Sequence, residues 1–180
     1  MTCYTTISRM GDGRDDKDNA RRAALARLLP LFGARPDERV AHDEAGRPFL
    51  PDCPAIEISI SHAAPFTAVA VSTNRVGVDV ECVESIRDPA GLARRFFTDG
   101  EQRMLAEAPH PAAAVCEIWT RKESLAKYVG TGLAATIGIC TETPPAEAAF
   151  YTKQFSASGK RYTLTLCATE PPREIKDVEK

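Results

Sequence analysis

The sequence predicts an α+β fold of two similar halves, each a small, mainly antiparallel sheet packed against a long helix. Three observations lead there. Short alternating apolar stretches with brief links fill 56–81, helical patterns occupy two separate places (18–29 and 112–129), and a hairpin signal lies in 150–168. Each half then holds one long helix and a few strands, a loose internal echo that suits two packed α+β units, 1–75 and 76–180. At 180 residues the chain is long enough for such a core, and 43% hydrophobic with 27% charged residues is ordinary for a globular protein.

Along the chain, 1–8 reads as a short strand and GDGRDDKD (11–18) as a polar turn. Asp18 is placed to cap a helix through ARRAALARLL, with Ala24, Leu25, Leu28 and Leu29 on one face; Pro30 should end or kink it and Gly33 stop it. AHDEAGRPFLPDCP (41–54) is a loop by its glycine and prolines. In IEISIS, Ile56, Ile58 and Ile60 point one way and Glu57, Ser59 and Ser61 the other. After a turn at 62–65, FTAVAVS (66–72) and VGVDVE (76–81) complete what reads as a three-stranded antiparallel meander. Residues 88–108 read as helical, with Thr98 and Glu101 spaced as a capping box. A helix through AAAVCEIWTRKESLAKYV stops at Gly130 and Gly132, and a hairpin turns at Ser158 and Gly159.

A formal net charge of −2 argues against broad attraction to nucleic acid or to a membrane surface, and no apolar run approaches the roughly 20 residues that span a bilayer. The N-terminus MTCYTTISRMGDGRDD has no basic region followed by an apolar stretch, so no secretory signal is expected. Cysteines 3, 53, 82, 116, 140 and 167 are scattered, with no C-x-x-C spacing; reduced thiols in a cytoplasmic protein are the natural expectation.

VGVDVE poses the chemical question, because Asp79 and Glu81 project to one side of a strand whose valines face the other way. A half-exposed edge strand explains this, and so does a hard divalent cation, which removes the repulsion between the acids and prefers oxygen ligands. On the helical wheel of 115–129, Val115, Ile118, Trp119, Leu125, Ala126 and Val129 form an apolar stripe with Lys122 in its middle. Either Lys122 snorkels to water or the stripe borders a cleft holding an anion. Glu123 and Lys127 lie one turn apart, as an ordinary exposed i,i+4 pair would. Glu123 is also a candidate third carboxylate for the cation.

Taken in order, GRPFL (46–50), ISISHA (58–63), VGVDVE (76–81) and WTRKESLAK (119–127) followed by GTGL (130–133), with FFTDGE (96–101) also fitting, make a set in which the sequence resembles the 4′-phosphopantetheinyl transferases of the monomeric, surfactin-type group. The resemblance covers about 46–133, with weaker similarity in 18–29. It implies an enzyme that moves the phosphopantetheine arm of coenzyme A to a serine of an acyl or peptidyl carrier protein and releases 3′,5′-adenosine bisphosphate. It implies coenzyme A in a cleft between two halves, the first making nucleotide contacts and the second carrying the metal and catalytic residues. Asp79, Glu81 and Glu123 match the family's magnesium ligands. Glu123 is also placed to take the serine proton, and Lys127 to steady the leaving pyrophosphate charge. Ser61 and His62 match the stretch that contacts the 3′-phosphate, Arg47 stands where a lysine is common, Arg21 matches an arginine at the start of the first-half helix, and Lys122 gains an anionic partner in the same region.

One departure concerns the first-half helix, which a basic segment precedes in larger members. Here fewer than 20 residues precede it, and Asp12, Asp15, Asp16 and Asp18 offset Arg9, Arg14 and Lys17. That departure motivates the alternative of a non-catalytic coenzyme A or carrier-binding module. A different Mg²⁺-dependent phosphoryl-transfer enzyme or nuclease is disfavoured by the lack of a basic surplus and of a Walker motif.

Overall fold

The computed structural model describes residues 3–9, 16–145, 147–172 and the backbone of 174–176. Residues 11–15 of the turn expected over 11–18, and the first two residues of the expected N-terminal strand, lie outside the described residues. The rest of that turn is corrected, because the helix already starts at Asp16 and Asp18 sits inside its first turn, where an acid suits the helix N-terminus, rather than capping it. The elements are β1 (Cys3–Arg9), α1 (Asp16–Leu28), β2 (Ala41–His42), β3 (Pro48–Phe49), β4 (Glu57–Ala63), β5 (Phe66–Ser72), β6 (Val76–Cys82), α2 (Pro89–Phe96), α3 (Asp99–Glu107), α4 (Pro111–Val129), β7 (Ala149–Ala157), β8 (Lys160–Ala168) and β9 (Glu174–Lys176).

The strands form a four-stranded sheet in the order β4-β5-β1-β9, a three-stranded sheet in the order β6-β8-β7, and the small β2–β3 pair. All pairings are antiparallel except β1 with β9. The two larger sheets pack face to face. Cys3, Ile7, Phe66, Ala68 and Ala70 from the first meet Val76, Val78, Val80, Tyr162, Leu164 and Leu166 from the second, all buried. Burial of each such valine contributes about 1.5–3 kcal/mol. The other face of the first sheet, through Ile58, Val69 and Val71, packs on Ala24, Leu25 and Leu28 of α1. Helix α4 covers the outer face of the second sheet.

Most expected elements stand where the patterns put them. Helix α1 passes into a 3-10 turn at Leu29–Phe32 containing Pro30, and Gly33 ends it at φ 76°. The 88–108 region is two helices rather than one, broken at the Thr98 cap, whose capping box with Glu101 is complete. The 41–54 loop contains the two-residue pairing of β2 with β3 around Gly46 at φ 80°.

The expected meander is corrected. Strand β6 does not pair with β5, whose second edge is taken by β1; it pairs with β8, from Val76↔Ala168 to Cys82↔Tyr162. Alternation along 56–81 marks which residues face inward, but it carries no signal for which neighbour a strand pairs with. No sequence signal pointed to β9.

Candidate active site

Three elements converge at one place: β4, β6 and α4. Strand β6 presents Gly77, Asp79 and Glu81 to α4, while its valines enter the core. Helix α4 crosses so closely at Gly77 that an added Cβ would lie 1.9 Å from the Ser124 carbonyl oxygen and 2.6 Å from the Tyr128 nitrogen. That approach brings the side chains of Glu123 and Lys127 to Asp79. On the other side, the serine face of β4 stitches the two sheets together: Ser59 Oγ accepts the Val78 N–H at 3.0 Å, and Ser61 Oγ donates to Asp79 Oδ1 at 2.7 Å.

Asp79 is 3% exposed. Its Oδ1 also accepts from Lys127 Nζ at 2.8 Å, and Lys127 Nζ donates to the Val78 carbonyl at 3.0 Å as well. Its Oδ2 is buried with no hydrogen-bond partner. Burial raises the Asp79 carboxyl above its ordinary value, although Lys127, Ser61 and the Val80 N–H pull the other way. Burial, then the charges of Asp79 and Glu123, push Glu81 up to about 7, against the opposing effect of Lys127 and a hydrogen bond from Trp119. Glu123 is raised by burial and then by Asp79. The three acids therefore sit close enough to act on one another's charge. Among the described residues no three His, Cys, Asp or Glu side chains are drawn together into a ready metal cage; here the Lys127 ammonium is the cation nearest Asp79. The bare, buried Oδ2 and the all-oxygen donor set fit a hard divalent ion.

A cleft of about 490 Å³ opens beside these groups. One wall is Gly46, Arg47, Ser59 and Ile60; the other is Glu123, Lys127, Gly130 and Leu133. Arg47 pairs with Glu57 and its guanidinium lies against Gly130. At the end of β4, His62 is exposed, with Nδ1 2.9 Å from Thr67 Oγ1. Partial desolvation by the surrounding chain, and then the positive charges of Lys17, Lys127 and Arg21, lower its pKa, so these cations share one neighbourhood. Arg21 bonds Asp18 at 3.3 Å and borders a separate groove of about 600 Å³ with Arg22 and Arg39.

Two residues depart from expectation. Lys122 neither snorkels nor faces the cleft. It is fully buried, and its Nζ lies 2.9 Å from Glu101 Oε2, so its anionic partner is a side chain of α3 rather than a ligand. A helix residue next to Glu123 points about 100° away from it, toward α3. Ser61 is 7% exposed with its hydroxyl committed to Asp79, one layer behind the cleft. Ser61 and His62 do face opposite ways, as adjacent strand residues must.

Sequence reasoning passed over Gly77, Ser59 and the partner of Lys122. A glycine inside a strand is a signal of close backbone approach, and it was there to be read. On the far side of Glu81, a groove of about 520 Å³ is lined by Ile86, Arg87, Leu92, Arg95, Phe96 and Trp119. The Arg95 guanidinium lies 5.0 Å from the Phe96 ring centroid, and that ring is 5.2 Å from Trp119.

Fold and site together describe a mixed α+β protein with a cleft lined by Arg47, Lys127 and Glu123, next to the buried Asp79 that Lys127 bonds. The family model of the 4′-phosphopantetheinyl transferase superfamily matches residues 75–174, and the chain belongs to that superfamily. A 4′-phosphopantetheinyl transferase of Bacillus subtilis is 27% identical over 142 residues, 71% of this chain and 62% of the relative. The 4′-phosphopantetheinyl transferase Sfp of Bacillus subtilis strain 168 is 25% identical over 169 residues, 86% of this chain and 73% of the relative. The 4′-phosphopantetheinyl transferase HetI of Nostoc is 29% identical over 138 residues, 72% and 58% of the two chains. The chain thus spans roughly 58–73% of the length of these relatives. A solved holo-[acyl-carrier-protein] synthase of Thermotoga maritima shares 18% identity over 52% of this chain and 62% of its own, with a TM-score of 0.33, too loose a likeness to bear on the fold.

Proposed function

We propose that this protein transfers the 4′-phosphopantetheine arm of coenzyme A to a serine hydroxyl of an apo acyl or peptidyl carrier protein. The observation that carries this reading is that Asp79, with its bare Oδ2, lies close enough to Glu81 and Glu123 to act on their charge, next to a cleft flanked by Lys127 and Arg47. The serine oxygen forms a bond to the pantetheine-side phosphorus, the pyrophosphate P–O bond breaks, and 3′,5′-adenosine bisphosphate leaves.

Asp79, Glu81 and Glu123 would hold Mg²⁺. Bound there, the ion would neutralise and align the pyrophosphate. Glu123, its pKa raised toward the working range of a base by burial and Asp79, takes the serine proton. Lys127 swings its ammonium from Asp79 to the departing phosphate, a short move for a side chain 30% exposed. His62, with Lys17 and Arg21 near it, receives the 3′-phosphate, and Arg47 offers a planar donor fork to the pyrophosphate. Ser61 orients Asp79.

The two sheet-and-helix units are read as the two halves of one monomeric enzyme, with coenzyme A between them. The groove at Arg87, Arg95, Phe96 and Trp119 is aromatic and apolar, with two arginines beside Glu81 and Asp88. Its apolar and aromatic side chains support docking of the apolar face of a carrier helix there, with Arg87 and Arg95 facing that helix's acids. Coenzyme A as substrate puts the protein in the cytoplasm, where six free cysteines are at home.

Incubation with coenzyme A, Mg²⁺ and a panel of apo carriers, followed by weighing the carriers, tests the reading. A gain equal to the phosphopantetheine arm is expected on at least one carrier, absent with Asp79→Ala. No gain on any carrier, with coenzyme A still bound, would favour the non-catalytic alternative.

A further inference from the structure

We infer that the buried Lys122–Glu101 pair is a positioning clamp that fixes the cleft wall at 130–133 by anchoring the segment behind it. The inference rests on the reading that this cleft receives coenzyme A.

Both side chains are 0% exposed. Lys122 Nζ bonds Glu101 Oε2 at 2.9 Å, the Ile139 carbonyl at 2.9 Å and the Ile137 carbonyl at 3.4 Å. Glu101 Oε1 accepts from the Thr141 N–H and the Thr141 hydroxyl, each at 2.8 Å. Glu101 Oε2 accepts from the Thr98 N–H at 2.8 Å and from the Thr98 hydroxyl at 3.1 Å. One ammonium and one carboxylate therefore join the middle of α4, the start of α3 and residues 137–141. Burial works to raise the Glu101 pKa, but these hydrogen bonds outweigh it and hold the carboxyl below its ordinary value.

The segment so held leaves α4 through Gly130 and Gly132, at φ 78° and 79°, and runs through a 3-10 turn at Leu133–Thr136. Gly130, Thr131, Gly132 and Leu133 line the cleft opposite Arg47. Glycines at these conformations give the path little stiffness of its own. Further on, Thr136 Oγ1 bonds the Leu133 carbonyl at 2.9 Å, and the Ile139 N–H bonds the Thr136 carbonyl at 3.1 Å, so the turn is coupled to the anchored end. A buried ion pair returns little net stability against well-packed apolar residues, because desolvation cancels most of the attraction. What it supplies is a single geometry, as every polar group in the network has one set of partners. Lys122 and Glu101 are thus positioning residues, next to the reacting groups without touching them.

The test is the double substitution Lys122→Met with Glu101→Gln, which removes both charges while leaving one acceptor for the cap, alongside Thr141→Val, which removes one donor and keeps the pair. Hydrogen exchange of amides 131–141, calorimetric binding of coenzyme A, and kcat and KM in carrier modification are measured on the full chain. In the double variant the amides should exchange about tenfold faster while those of β6 and β8 do not change. The Kd and KM for coenzyme A should rise about tenfold with kcat within about threefold, the scale on which supporting partners act on a site. Thr141→Val should move the same readouts by about threefold and decides the matter if the double variant does not fold. Unchanged exchange overturns the clamp, and so does faster exchange with unchanged coenzyme A affinity. Failure of the unaltered protein to bind coenzyme A would instead strike the transfer reading, and the exchange result would still decide the clamp.

Discussion

Substitution of Gly77 by alanine should damage fold and site together. The added Cβ would sit 1.9 Å from the Ser124 carbonyl oxygen, and ordinary contact begins near 3.4 Å, so α4 must retreat by about 1.5 Å. The atoms in the way are backbone, within a continuous helix, and cannot swing aside. Overpacking of this kind costs about 1–3 kcal/mol, and the absence of any flexible neighbour puts Gly77→Ala at the upper end. The same retreat carries Glu123 and Lys127 away from Asp79, and a misplacement of about 1 Å can lower a rate about a hundredfold. Urea denaturation and carrier modification on one preparation measure the two effects. Gly138→Ala, where nothing lies within 4 Å of an added Cβ, is the control and should change stability by less than about 0.5 kcal/mol. A Gly77→Ala protein that melts and turns over like the wild type would show that α4 is not seated on β6 as described.

Other outcomes concern the charges. Asp79→Asn keeps the Ser61 hydrogen bond but weakens the hold on Lys127 and on a divalent ion; carrier modification should fall by at least about a hundredfold with circular dichroism unchanged. In metal-free buffer, Glu81 has a folded pKa of about 7 against an ordinary 4.5, so the folded state binds the extra proton. Stability should therefore fall as pH rises from 4.5 to about 7, a slope that Glu81→Gln reduces, with the remainder coming from the also raised Asp79 and Glu123, and that urea midpoints across this range would reveal. His62→Ala should raise the KM for coenzyme A about tenfold and spare kcat; an altered kcat with unchanged affinity would reassign the residue.

Much of the site could be read in the sequence because strand and helix periodicity determine direction. Asp79 and Glu81 share a face by the two-residue repeat, and Glu123 and Lys127 share one by the four-residue spacing. What periodicity omits is partnership. It could not show that β6 leaves β5 for β8, because the connection 73–75 is short in either arrangement. Nor could it show that the charge facing Lys122 comes from Glu101, a residue whose capping role was visible while its second oxygen was not. The motif around Ser61 points to a ligand, whereas its partner, Asp79, lies 18 residues on and across a sheet boundary.

The parallel register of β9 on β1, Tyr4↔Glu174 to Thr6↔Lys176, ties together two segments far apart in the sequence. The first sheet remains a strand short until β9 has been made, so a fragment ending at 75 would expose a raw edge on β1. Splitting the protein at the link between its two sheets should thus yield pieces that stick or refold poorly, and a bulky tag appended next to β9 would press on the sheet that holds His62 rather than on the sheet that precedes it in the chain.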